Sequence, residues 1–332
     1  SQVSANTEAG FSIVSYTGSV SINQTVGHGL DSKPDMIIVK NRSLGNPWAV
    51  YNSNLTADYH LILNTTQEAK NNVDWIWNDT EPTDFVFTVG QFGLTNQNPD
   101  EFIAYCWHSV EGFSNFGSYV GNGSASGPFV ITGFEPAYIM IKRTDTSGYG
   151  WYIMDSARGM DGNTGKYLFA NESNAEGTLG AGGLKVYENG FQITDAGAGF
   201  NGNNGKYIYM AFAADPTAVE PSLADSFNTV LYTSTGGSQS ITGVGFQPDL
   251  LWTKNRTSTW FHQIVDSVRL APNTIYSNST QAESTPVSYT SSLDTDGFTV
   301  NYTETIGSNY VAWAWKGAEI PAINSNGSIP SV

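Results

Sequence analysis

Apolar and polar residues alternate over short stretches such as Phe85-Val-Phe87-Thr-Val89 and Phe298-Thr-Val300-Asn-Tyr302. A period of two predicts half-buried β-strands, because successive side chains on a strand face opposite ways. The stretches are separated by breakers, among them Glu188-Asn-Gly190, Asn201-Gly-Asn-Asn-Gly205 and Asp294-Thr-Asp-Gly297, which read as tight turns. No stretch combines a 3.6-residue period with caps at both ends, so long helices are not expected.

The same order of segments recurs three times. A strand followed by a turn comes first: Phe11-Ser-Ile-Val-Ser-Tyr16-Thr-Gly18, Phe116-Gly-Ser-Tyr119-Val-Gly121 and Phe227-Asn-Thr-Val-Leu-Tyr232-Thr. A proline-led apolar strand ending on a base follows: Pro34 to Lys40-Asn-Arg42, Pro136 to Lys142-Arg143, and Pro248 to Lys254-Asn-Arg256. Next comes a tryptophan-led strand: Trp48 to Ser53, Trp151 to Ser156, and Trp260 to Ser267. Asparagine-led turns start at Asn64, Asn171 and Asn278, 107 residues apart each time. Aromatic strands, Phe102 to Trp107, Tyr207 to Phe212 and Tyr310 to Trp315, close the series.

Recurrence at this length predicts an all-β chain of three tandem antiparallel β-sandwich units of one type. The expected division is a linker at 1–10, units at 11–112, 113–221 and 222–317, and a C-terminal linker at 318–332. The second boundary falls in the proline-bearing Asp215-Pro-Thr-Ala-Val-Glu-Pro221, and the tail is polar with Pro and Gly.

Composition agrees and narrows function. Only 13% of the 332 residues are charged, against 39% hydrophobic and 13% aromatic, which disfavours long exposed helices and wholesale disorder. A net charge of −16 with no Lys/Arg run longer than Lys142-Arg143 argues against nucleic acid as a partner. No run of about 18–20 apolar residues is present, so membrane insertion through a helix is not expected. The single cysteine, Cys106, lies in an apolar strand and is expected to be an inert core residue.

Catalytic patterns are sparse. The chain has no His-Glu-x-x-His, no Gly-x-Ser-x-Gly and no phosphate-binding lysine loop. Gly197-Ala-Gly-Phe-Asn-Gly202 matches a dinucleotide fingerprint in letters, but a strand rather than a helix follows it. The acidic residues cluster in turns such as Glu81-Pro-Thr-Asp84 and Asp294-Thr-Asp296, and no strand carries carboxylates at alternate positions, as a sandwich glycosidase would. His28, His60, His108 and His262 share no ligand spacing, so neither a metal nor another cofactor is expected. The protein is read as a non-enzyme.

The recurrent residues read as scaffold. Lys40, Lys142 and Lys254 are expected to neutralise Asp155 and Asp266 at a sheet edge, the first unit carrying Asn52 instead. Trp48, Trp151 and Trp260, and the closing Trp107, Phe212 and Trp315, are expected to pack in cores. Non-recurrent aromatics are the better functional candidates, since the scaffold does not require them. Val73-Asp74-Trp75-Ile-Trp77-Asn-Asp79 occurs once and, as a strand, would put two indoles on one face beside Asp74 and Asp79. Indoles flanked by polar groups suit a sugar ring, so Trp75, Trp77, Asp74 and Asp79 are the candidate glycan site, with Tyr149 and Tyr289 as minor candidates. Packing against a neighbouring unit is the competing reading of the two tryptophans.

Several segments resemble a repeat domain of unknown function found in structural proteins of tailed bacteriophages, many marine or cyanobacterial. They are Gly10 to Gly18, Val26-Gly-His-Gly-Leu30, Pro34 to Arg42, Glu111 to Gly123, Gly133-Phe-Glu-Pro136, Met140 to Arg143 and Tyr310 to Lys316. The resemblance implies a virion component of tail, fibre or capsid surface, with other virion proteins as partners. It supplies no catalytic residues. The expected role is structural and adhesive, in a symmetric homo-oligomer that contacts host surface glycans. A carbohydrate-binding lectin module and a polysaccharide-depolymerising hydrolase are the alternatives.

Overall fold

A computed structural model describes residues 1–19, 21–71, 75–162, 165–179, 183–213, 223, 225–286, 289–302, 306–318 and 320–329. The chain is all-β, with its strands in several antiparallel sheets. Three of these are large. From neighbour to neighbour, the first runs Ala322–Ile323, Gln2–Asn6, Phe11–Thr17, Glu101–Trp107, Met36–Asn41, Ala49–Asn52, Tyr59–Ile62 and Lys70–Asn71. The second runs Ser114–Val120, Lys206–Ala213, Pro136–Arg143, Trp151–Asp155, Lys166–Phe169 and Gly177–Thr178. The third runs Phe227–Thr233, Asn309–Trp315, Leu250–Asn255 and Gln263–Asp266. In each, an early strand pairs with the closing aromatic strand, which pairs with the proline-led strand, which pairs with the next hairpin arm.

Three smaller sheets cover the large ones: Gln24–Gly27 with Val86–Val89; Phe129–Ile131 with Gly190–Ile193 and Leu184–Tyr187; and Gly237–Thr242 with Gly297–Tyr302 and Thr290–Asp294. Their hairpins explain two of the glycine-bearing turns. Gly190 and Gly297 follow Glu188-Asn189 and Thr295-Asp296 with φ of +154° and +152°, and a Cβ on either would fall within 2.1 Å of a facing strand carbonyl.

The central strands of the large sheets do not alternate apolar with polar, and the packing shows why. Met36–Asn41 is buried throughout, as is Glu101–Trp107 after its first residue. Met36, Ile38, Ile103, Tyr105 and Trp107 face one cluster, while Ile37, Val39, Phe102, Ala104 and Cys106 face another beneath the small sheet. The same period of two splits Tyr138 and Met140 from Ile139 and Ile141, and Leu250 and Trp252 from Leu251. One face of each large sheet thus shares a cluster with residues of a small sheet, while the other contributes to one cluster drawn from all three large sheets. Trp107, Phe212 and Trp315, equivalent in register, meet there: Trp315 lies 6.4 Å from Trp107 and 5.8 Å from Phe212, ring centre to ring centre.

Both segments expected to be linkers from their composition are instead tied into sheets. Gln2–Asn6 pairs along Phe11–Thr17 and with Ala322–Ile323, and Gly327 bridges to Val26. Backbone pairing and the buried Val3 and Ile329 outweigh the polar, Gly- and Pro-bearing composition. Two further boundary residues, Asp215 and Pro221, lie outside the described residues.

Candidate functional site

The recurrent residues make the seams between the large sheets. Asn64, Asn171 and Asn278 accept through Oδ1 from the backbone N–H of Trp48, Trp151 and His262, at 2.9, 2.7 and 2.9 Å. His262, not Trp260, therefore occupies the tryptophan position in the last third. The indole Nε1 of Trp48 donates to Tyr276 O at 3.0 Å and that of Trp151 to Ile62 O at 3.1 Å, while the His262 ring lies beside the backbone of Phe169. Ile62, Phe169 and Tyr276 hold equivalent register positions, so the three contacts run in a cycle.

A second cycle lies alongside. Ala69 N–H donates to Thr144 O, Glu176 N–H to Arg256 O and Glu283 N–H to Arg42 O, at 2.8 to 2.9 Å. Two of these seams are ionic. Glu283 bridges Arg42 and Arg269, each at 2.9 Å, and Arg269 grips Asp266 at 2.6 Å, which accepts from Tyr105 Oη at 2.7 Å. Glu176 bridges Arg256 at 2.8 Å and Arg158 at 3.4 Å, and Arg158 holds Asp155 at 2.7 Å, which accepts from Trp313 Nε1 at 2.9 Å. The remaining seam has Thr144, Ala69, Leu55, Asn52 and Met210 in these places, so the charge and its donor are absent together. Burial opposes ionisation of Glu283, but Arg42 and Arg269 hold its carboxyl below the usual range.

The expected Lys–Asp neutralisation is corrected by this arrangement. Lys142 lies opposite Trp151 and Asp155 opposite Tyr138, at opposite ends of one hairpin, so the two cannot meet. The lysines sit on interior strands, not at an edge, and donate to carbonyls. Lys40 reaches Asn41 O at 2.6 Å, Lys142 Tyr149 O at 2.5 Å and Lys254 Asn255 O at 2.6 Å.

Burial pushes Lys40 and Lys142 down to about 8 and Lys254 to about 7 from an ordinary 10.5. The cost of keeping them charged is present in full below those values and vanishes as pH rises, because the unfolded lysines stay protonated up to about 10.5. Buried tyrosines such as Tyr16, Tyr105 and Tyr119, pushed well above 10 by burial, have the opposite effect beyond pH 10. The thermal midpoint should therefore rise by about 2–5 °C between pH 7 and pH 9 and fall above pH 10. A flat or falling midpoint from pH 7 to 9 in a calorimetric pH series would count against this account.

Of the predicted glycan residues, Trp75 and Trp77 do not share a face. Trp75 is 59% exposed and tilts against the exposed Phe92 at 5.8 Å, whereas Trp77 is 2% exposed and packs edge-on to Tyr51. The segment is a turn rather than a strand, with Asn78 and Asp79 at φ of +53° and +46°, a conformation their short polar side chains tolerate. Asp79 is exposed beside Asp58, whose hydrogen bond raises its pKa. Asp74 lies outside the described residues. Tyr149 lends its carbonyl to Lys142 and its ring to Arg143, 5.0 Å above it.

Tyr289 lines a cleft of about 360 Å³ together with Thr259, Trp260, Phe261, Gln263 and, from the second sheet's side of the seam, Ser173. Phe261 is 42% exposed, and Gln263, at 6%, has an amide oxygen with no hydrogen-bond partner. Among the described residues no group of three or more His, Cys, Asp or Glu is placed to hold a metal ion. Burial pushes the Cys106 thiol well up, consistent with its place in the core.

Residues 1–216 and 222–332 match a family described as a domain of unknown function, DUF7483. The chain belongs to the DUF7483 family. No curated protein matches it.

In this family member the sequence pattern missed Trp260, Phe261 and Gln263 as a group. Trp260 shares the side chain of Trp48 and Trp151 but not their place. The clamp asparagine lies sixteen residues after Trp48, twenty after Trp151 and sixteen after His262, so no fixed spacing marks the position, and only the hydrogen bond to Asn278 shows that His262 holds it.

Proposed function

We propose that the chain consists of three tandem antiparallel β-sandwich units, residues 11–112, 113–221 and 222–317, closed around one shared core. We further propose that it serves as a non-enzymatic structural and adhesive component of a tailed-phage virion, of fibre, tail or capsid surface. The observation that carries this reading is the use made of the recurrent residues. The lysines, aspartates, arginines and clamp asparagines that recur are committed to holding strands and seams together. The repeated pairing order of the large sheets, each with its own small sheet, supports the three-unit division. The phage resemblance of the motifs supplies the setting. A net charge of −16 fits an exposed particle protein that must not self-associate non-specifically. Other virion proteins, and further copies of this chain, are its proposed partners.

A carbohydrate-binding module is the second reading, favoured by the exposed aromatic pair Trp75 and Phe92. One experiment separates the readings and also tests for a depolymerising hydrolase. Purified protein is incubated with envelopes of candidate host cells, the envelopes are sedimented, and the supernatant is assayed for released oligosaccharide. Co-sedimentation without release is the expected result. Release would establish a hydrolase, and absence of both would remove the adhesive part of the proposal.

A further inference from the structure

We infer that the cleft between Trp260 and Tyr289 binds a neutral saccharide. The equivalent positions preceding Trp48 and Trp151 carry Asn46-Pro47 and Tyr149-Gly150, so the scaffold does not need the Trp260-Phe261 pair. Two adjacent large rings thus stand at a solvent-facing seam, one of them 42% exposed, leaving apolar surface that the scaffold does not cover. An aromatic face carries negative quadrupole density, and the C–H groups along one side of a pyranose ring are weakly positive, so ring and sugar stack. The sugar's hydroxyls then need polar partners at the rim, and Gln263, Thr259 and Ser173 stand there.

Gln263 lines the cleft and is 6% exposed, so its surroundings hold the side chain in place rather than leaving it free in solvent. Among the described residues that line it none bears a formal charge, which selects a neutral sugar over a uronate, a sulfated glycan or a phosphate. A quaternary ammonium would suit three aromatic rings, but it could use neither the amide nor the two hydroxyls. At about 360 Å³ the cleft lies at the small end of ligand sites, the size of one or two sugar rings. Apart from Gln263 its walls are loop residues, brought together across a seam that the Arg256–Glu176 ion pair at 2.8 Å and the Glu176 N–H to Arg256 O bond close.

The inference rests on the adhesive part of the proposed function but can fail separately. The full chain is titrated, by saturation-transfer NMR and calorimetry, with di- to tetrasaccharides of glucose, galactose, mannose and N-acetylglucosamine, with uronate- and sulfate-bearing counterparts, and with choline. A neutral oligosaccharide should bind at millimolar concentration or below. Its affinity should drop at least about tenfold in Trp260→Ala and Gln263→Ala, stay near wild type in Trp260→Phe, and be unchanged in Trp75→Ala. The inference is overturned by no neutral saccharide binding, by preference for the charged sugars or choline, or by loss of binding in Trp75→Ala instead of Trp260→Ala. Envelope co-sedimentation without saccharide binding would sink this site and leave adhesion standing. Saccharide binding without co-sedimentation would do the reverse.

Discussion

Arg269→Leu is expected to lower folding stability by about 3–5 kcal/mol, the cost of removing one partner from a buried ion pair. Both side chains of the Arg269–Asp266 pair are fully buried and 2.6 Å apart, and Arg269 holds in place the two carboxylates, Asp266 and Glu283, that Tyr105 and Arg42 reach across one of the two ionic seams. With the guanidinium gone, Asp266 keeps backbone donors from Val268 and Arg269 and the Tyr105 hydroxyl, but no counter-charge. Ile264 O loses one donor yet retains the N–H of Ile275, so the carboxylate carries most of the penalty. The neutral seam shows the remedy: Asn52 and Leu55 stand where Asp266 and Arg269 do. The double variant Asp266→Asn/Arg269→Leu should therefore recover at least half of the loss, since Asn can still accept from Tyr105. Urea midpoints for wild type, single and double variants provide the check. A single-variant loss under about 1 kcal/mol, or a double variant no better than the single, would show that the pair is not what holds this seam.

Trp313→Ala should cost about 4–5 kcal/mol or prevent folding, at the top of the range for large core deletions. Trp313 is fully buried in the shared cluster, packs edge-on to Tyr138 and Trp252 at 5.9 and 6.0 Å, and stacks on His262 at 6.3 Å. Its indole also donates to Asp155 across the seam at 2.9 Å, so truncation removes packing and a donor together. Trp313→Phe keeps most of the ring and loses the donor, and about 1–3 kcal/mol is expected. Trp75→Ala, by contrast, should stay within about 0.5 kcal/mol because its ring is mostly in water. Thermal midpoints and near-ultraviolet circular dichroism on the three variants test the ranking. Equal effects of Trp313→Ala and Trp75→Ala would refute a shared core as the source of stability.

Strand content and turn positions were legible along the chain, since alternation and glycine-bearing turns are local properties: Phe298–Tyr302 and Gly297 fall where the pattern puts them. The asparagines 107 residues apart, Asn64, Asn171 and Asn278, were also legible as positions of like use, since each accepts from the backbone N–H that opens its neighbouring strand segment. The candidate site was less so. Reading Trp75 and Trp77 as one face assumed a strand, whereas residues 75–79 form a turn in which Trp77 lies in the core and Trp75 in solvent.

Local chemistry thus determines that this chain makes short stretches of strand separated by tight turns. Where the stretches meet is a matter of long-range packing, and no local signal carries it. A strand such as Met36–Asn41 is apolar on both faces, which says that both are covered but not by what. Only the assembled structure reveals that one face joins a common core and the other a private one. The partners of charged residues are decided in the same way: Arg42 and Glu283 are 241 residues apart in the chain and 2.9 Å apart in space. The cleft at Trp260 exists only because that seam closes, bringing Ser173 to a wall whose other residues lie more than 80 positions further along the chain.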